Sequence, residues 1–155
     1  WRPFGERLIL IVRRRSSNLI IAPGPHWTSD LSDVPTSPFS DTNLAYAAHC
    51  YPEMVDPSEK DPRAVWTERF GFLAETYPII VSEWGYHPSY GQDGFATGTL
   101  KGYARPFMNF METRGLSWIA FQYCPGGQPT MMELDWTTPT EFGAFVKESL
   151  ARKRL

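Results

Sequence analysis

The sequence predicts an α/β fold with a parallel sheet, and three observations carry that expectation. Four short segments are near-continuous apolar runs, the pattern of strands buried on both faces. Segments with helical apolar periodicity lie before, between and after them. Histidines, large aromatics and a carboxylate gather where those runs end, which is where parallel sheets hold their ligands.

The strands are expected at Asn18–Pro23 (NLIIAP), Asn43–Cys50 (NLAYAAHC), Pro78–Glu83 (PIIVSE) and Leu116–Tyr123 (LSWIAFQY). Ahead of the first, Phe4, Leu8, Ile9 and Val12 recur on one helical face, and SSN makes the exit turn. Between the second and third, Asp61 is placed to cap a helix with Pro62 at its first position. Val65, Trp66, Phe70 and Leu73 supply that helix's buried stripe. A further helix spans Thr99–Arg114, interrupted near Pro106 and stopped by Gly115. The last begins at TPTE, read as Thr138 capping, Pro139 first and Glu141 reaching back, and buries Phe142, Phe145, Val146 and Leu150. The stretch from Gly24 to Thr42 is a long Pro/Ser/Thr/Asp loop, and loops of that length are often functional.

The chain has 155 residues, enough for one domain with a core, and neither repeats nor a domain linker are visible. A net charge of −2 supplies no field for nucleic acid or an anionic membrane. Two basic runs, Arg13–Arg15 and Arg152–Arg154, fall where helices end and are read as dipole compensation. No run is long enough to span a membrane and no signal peptide is visible. The first residue is Trp rather than Met, which reads as a missing natural start and leaves the compartment open. Cys50 and Cys124 end strands with one strand between them, a gap of roughly 10 Å that a disulfide does not bridge. Both are expected as free thiols. No Cys/His spacing suits a metal and no glycine-rich phosphate loop follows a strand, so neither metal nor cofactor is expected.

The strand ends hold the chemistry. The first runs into PGPHW, with His26 and Trp27; the second ends at His49, Cys50 and Tyr51; the third ends at Glu83 and Trp84; the fourth enters Phe121-Gln122-Tyr123. Aromatic faces stack on pyranose rings, and a carboxylate attacks or stabilises an anomeric carbon. With aromatics at 15% and six Trp, that mixture suits a sugar. His26 and His87 read first as loop residues, with His26 kept as a candidate subsite contact.

NLIIAPGPHW, NLAYAAHCYP with its His-x-Tyr pair, PIIVSEWG, and LSWIAFQYCPGGQPTMMELDWTTPTEFG follow in an order that resembles the C-terminal half of a family 5 glycoside hydrolase, a cellulase-like (β/α)8 barrel. The four pieces resemble strands five to eight and the closing helix, so the resemblance covers essentially the whole chain as one (β/α)4 half of a TIM barrel. It implies that Glu83 is the catalytic nucleophile, that Tyr51 hydrogen-bonds and orients it, and that His49 lines the same subsite. Phe121 takes the position of the family's stacking Trp; its ring is smaller and lacks an indole N–H. Trp27, Trp84 and His26 complete the expected sugar-binding set. Trp118 has the opposite strand parity to Phe121 and is expected to pack outward.

The resemblance also shows what is missing. The family's proton donor is the Glu of an Asn-Glu pair, and no Asn-Glu dipeptide occurs here. A whole barrel takes about 250 residues. Asp30, Asp33 and Glu53 lie in the right loops but read as solvated acids. The expectation is therefore a glycosidase-like half barrel of impaired activity on β-linked glucan or mannan. Four strands alone leave two open edges and a bare inner face, so closure by a homodimer is expected. A non-catalytic carbohydrate-binding half barrel and an inactive fragment stand as alternatives. The parent family makes a secreted or periplasmic location plausible.

Overall fold

The computed structural model describes residues 1–54, 61–88 and 94–152. Four strands form one sheet in the order β1-β2-β3-β4, every neighbouring pair parallel: β1 (Ile20–Ala22), β2 (Leu44–Cys50), β3 (Ile79–Trp84) and β4 (Ser117–Trp118). The helices are α1 (Arg2–Arg13), α2 (Pro25–Thr28, a single turn), α3 (Pro62–Arg69), α4 (Arg105–Thr113) and α5 (Glu141–Arg152). All four predicted strands are present, but β1 and β4 are shorter than their apolar runs. Each is an edge with a ladder on one side only. Past its end β4 still follows β3 through Ile119 N–H to Val81 O (2.8 Å) and Phe121 N–H to Trp84 O (3.0 Å).

Helices cover one face of the sheet. Leu44, Tyr46, Ala48 and Cys50 of β2 and Ile79, Val81 and Trp84 of β3 point into that core. Trp66 of α3 meets Phe107 and Phe110 of α4 edge-on, at ring-centroid distances of 4.7 and 5.3 Å. Trp84 is ringed by Phe107, Trp118, Phe142 and Phe145 at 5.3–6.5 Å. Trp118 packs outward as its parity predicts, and its indole N–H donates to Glu112 Oε1 at 3.1 Å. Asp61 caps α3 by accepting from Arg63 N–H at 3.0 Å.

Two local expectations change, at α1 and at the α5 cap, while the break expected near Pro106 is present. Of the α1 stripe only Ile9 is buried; Phe4, Leu8 and Val12 are exposed, because among the described residues no element packs over that face. Pro106 lies in the first turn of α4, where a missing N–H costs nothing, and a π-turn at Leu100–Ala104 leads into it. Thr138 does not cap α5, because Asp135 holds it: that carboxylate accepts from the Thr137 and Thr138 N–H groups and the Thr138 hydroxyl. Thr140 takes the capping role toward Gly143 N–H (3.1 Å), and Glu141 accepts from the Tyr86 hydroxyl at 2.6 Å instead of reaching back.

The basic runs have partly local explanations. Arg13 grips both carboxylate oxygens of Asp41, at 2.6 and 2.9 Å, and the carbonyls of Asn18 and Asn43, tying α1 to the starts of β1 and β2. Arg152 pairs with Glu148, while residues 153–154 of the second run lie outside the described residues. Cys50 and Cys124 are free, and burial pushes the Cys50 thiol well up. No described helix is long and apolar enough to cross a membrane.

Candidate active site

The site is made by a one-residue irregularity in β3. Ala48 pairs with Val81, yet the next residue of β2, His49, pairs with Glu83, so Ser82 is an extra residue. Strand side chains alternate, and such an insertion moves every later side chain to the other face. Before it the odd positions Ile79 and Val81 face the helices; after it the even position Trp84 does. Glu83 is thereby turned to the helix-free face, beside His49. Without the bulge it would point into the aromatic core.

There the Tyr51 hydroxyl donates to Glu83 Oε2 at 2.9 Å. His49 Nδ1 lies 3.5 Å from the same oxygen. The Glu83 side chain is 31% exposed, open enough for a ligand to reach it. Burial lowers the His49 pKa, opposed by the Glu83 charge and by a hydrogen bond to the Trp27 backbone. The imidazole is therefore held toward its neutral form. Phe95 braces the Tyr51 ring edge-on at 4.9 Å.

Two supporting residues carry no signal in the sequence pattern. The fully buried Tyr103 donates its hydroxyl to Cys50 O at 2.6 Å and also bonds the Gly85 backbone, clamping together the ends of β2 and β3. Gly85 admits the Phe121 carbonyl: a Cβ there would lie 2.5 Å from it, so any larger residue would push β4 away from β3.

The remaining candidates separate. Trp27 is 94% exposed, and His26, Trp27 and Thr28 all take left-handed backbone conformations (φ 51, 57 and 66). Such conformations cost roughly 1–3 kcal/mol each for non-glycine residues and persist where the surroundings impose them. The buried Thr28, the Ser29 hydroxyl bond to His26 O (2.6 Å) and the His49–Trp27 bond do so here. His26 is exposed in the same turn, and Phe121 is half-buried at the end of β4. Trp84 is a correction: it is fully buried on the helix side, where no sugar reaches it, because the bulge that turns Glu83 outward turns Trp84 inward.

Among the loop acids, burial raises the Asp30 pKa, but bonds from Ser32 and the Arg69 charge at 3.8 Å outweigh it and hold the carboxyl below its usual range. That direction is wrong for a proton donor.

Comparison with known proteins shows the family and the fold. The family model described as cellulase (glycosyl hydrolase family 5) matches residues 1–127. A β-glucanase from Saccharophagus degradans, solved with cellotetraose, is 30% identical and superposes with a TM-score of 0.90, covering 98% of this chain and 47% of its own. An endocellulase from Pyrococcus horikoshii, also solved with cellotetraose, is 19% identical with a TM-score of 0.64 over 80% of this chain and 36% of its own. The endoglucanase catalytic domain from Xanthomonas campestris pv. campestris is 18% identical with a TM-score of 0.64 over 96% and 47%. The chain thus spans about half the length of the β-glucanase it matches. No curated protein matches it.

Proposed function

The chain belongs to glycosyl hydrolase family 5, the cellulases, and on that footing we propose that Glu83 is a nucleophile acting on β-linked glucan or mannan chains. One observation carries the reading. Tyr51 and His49 both address Oε2 of Glu83, which leaves Oε1 without a protein partner among the described residues. Oε1 is then the attacking atom. Its bond to the anomeric carbon forms as the glycosidic C–O bond breaks, and the departing oxygen keeps the electron pair and takes up a proton. Tyr51 donates to the carboxylate and fixes its rotamer. Neutral His49 adds no positive charge that would blunt the nucleophile. Trp27, exposed beside His49, offers a ring face to a sugar, with Phe121 and His26 as further contacts.

Among the described residues no group stands out as a proton donor, and Asp30 is held in the wrong direction for one. Hydrolysis of natural glycans by the chain alone is accordingly slow. A dinitrophenyl β-cellobioside loses its leaving group without acid help and isolates the nucleophilic step. The chain releases dinitrophenolate from it, and Glu83→Gln reduces release to background; equal rates for the two proteins would sink the proposal. A binding-only role is the second reading, favoured by the exposure of Trp27, and cello-oligosaccharide binding without dinitrophenolate release would select it. A homodimer is the partner expected from the sequence.

A further inference from the structure

We infer that Phe95 is a positioning residue that acts through Tyr51: its ring sets the plane in which the Tyr51 hydroxyl meets Glu83, and the segment carrying it is seated against the ends of both central strands. The inference rests on the reading of Glu83 as nucleophile. A tyrosine does not fix its own ring, because the χ2 torsion is broad and roughly two-fold. A reacting constellation has to be held within about 0.5 Å. A misplacement of about 1 Å can cost on the order of a hundredfold in rate.

The two rings meet edge to face, with centroids 4.9 Å apart and planes at 87°. At its far end Tyr51 donates its hydroxyl to Glu83 Oε2 at 2.9 Å. Edge-on contact is directional, since the positive edge of one ring prefers the negative face of the other. It therefore opposes rotation of the Tyr51 ring as well as displacement. Phe95 is half-buried and lies outside the hydrophobic core, so its contact with Tyr51 is not a by-product of core packing.

The backbone of Phe95 is fixed from both strands. Beyond the end of β2, Glu53 N–H donates to Phe95 O at 3.2 Å. Beyond the end of β3, His87 N–H donates to Ala96 O (2.8 Å) and Gly98 N–H returns to His87 O (3.2 Å). Gly98 makes this seating possible. A Cβ there would lie 2.7 Å from Cγ of Pro52, the residue after Tyr51, and 3.3 Å from Cβ of Tyr86. The proline ring is too stiff to give way. Farther along the same connection, Tyr103 donates to the carbonyl of Cys50, the residue before Tyr51, at 2.6 Å. One stretch of chain, running from the strand that carries Glu83 to α4, thus addresses both the ring and the flanking backbone of Tyr51.

Rates of dinitrophenyl β-cellobioside cleavage by the whole chain test this. Phe95→Ala lowers kcat roughly two- to tenfold, the worth of one aromatic pair, and changes KM by less than about twofold. Gly98→Ala, which keeps the Phe95 ring but unseats its segment, lowers kcat in the same way. In a Tyr51→Phe background neither substitution has a further effect, because each acts through the hydroxyl already removed. Melting and circular dichroism establish that the variants fold; if Phe95→Ala does not, Phe95→Leu, which keeps bulk without a ring, takes its place. A crystal structure of the folded variant gives a readout that needs no turnover: the Tyr51 ring is turned and its hydroxyl stands beyond the 2.9 Å found here from Glu83 Oε2. An unmoved Tyr51, an unchanged kcat, or losses that multiply in the Tyr51→Phe background would each overturn the inference. Full-rate Phe95→Ala beside a slow Tyr51→Phe overturns it alone, whereas a full-rate Tyr51→Phe overturns it together with the reading of the site.

Discussion

At the scale of single residues, the proposed role of Glu83 divides its two oxygens, with Oε2 held by Tyr51 and His49 and Oε1 left to attack. Removing the Tyr51 hydroxyl (Tyr51→Phe) takes away a hydrogen bond to a charged acceptor, a loss of about 1.5–3 kcal/mol. The rate of dinitrophenolate release should fall roughly 10- to 150-fold. The effect should lie in the chemical step more than in KM. His49 offers an independent check. The Glu83 charge raises a pKa that burial lowers, so Glu83→Gln should lower the His49 pKa further, read from its imidazole resonances in a pH titration. A rise would mean that the two groups do not interact as described. Trp27→Ala should weaken cello-oligosaccharide binding about two- to tenfold, the worth of about 0.5–1.5 kcal/mol of ring stacking. Calorimetry measures it directly.

Among the elements, the bulge at Ser82 decides what the strand can do. Deleting Ser82 removes the extra residue and restores simple alternation, with Glu83 directly after Val81 still beside His49 and Trp84 still turned to the helices. The variant should keep Trp84 among Phe107, Phe142 and Phe145 and retain dinitrophenolate release, read together with its melting midpoint; loss of release in a folded variant would contradict the assigned parity. The turn before α5 gives a pH test. Its hydrogen bonds hold Asp135 down to about 2, so their stabilising contribution is present above about pH 4, the ordinary carboxylate range. It is lost as pH falls toward 2. Denaturation curves of the chain and of Asp135→Asn should differ near pH 6 and converge near pH 2. These elements also show what a sequence discloses. Apolar runs located β1 to β4 and the Asp61 cap, because burial on both faces and capping chemistry are written locally. Trp84 was misassigned because a bulge leaves no local mark: only the pairing of His49 with Glu83 reveals it. The shift of the α5 cap to Thr140 was hidden likewise, since it depends on Asp135 taking Thr138 and Tyr86 taking Glu141.

On the scale of the whole molecule, the fold is half of a TIM barrel, with one face packed under helices and two margins left apolar. The order of four β/α units was legible because each unit repeats one pattern. The distribution of exposed and buried residues on α1 was not, because periodicity reveals that a helix has an apolar face but not whether anything lies against it. Covalent trapping tests the central assignment most directly. A dinitrophenyl 2-deoxy-2-fluoro-β-cellobioside forms a glycosyl-enzyme that breaks down slowly, and mass spectrometry of peptides locates the adduct. An adduct on Glu83, absent from Glu83→Gln, is the expected result. An adduct on any other carboxylate, or none in a chain that still releases dinitrophenolate from the unfluorinated glycoside, would contradict it.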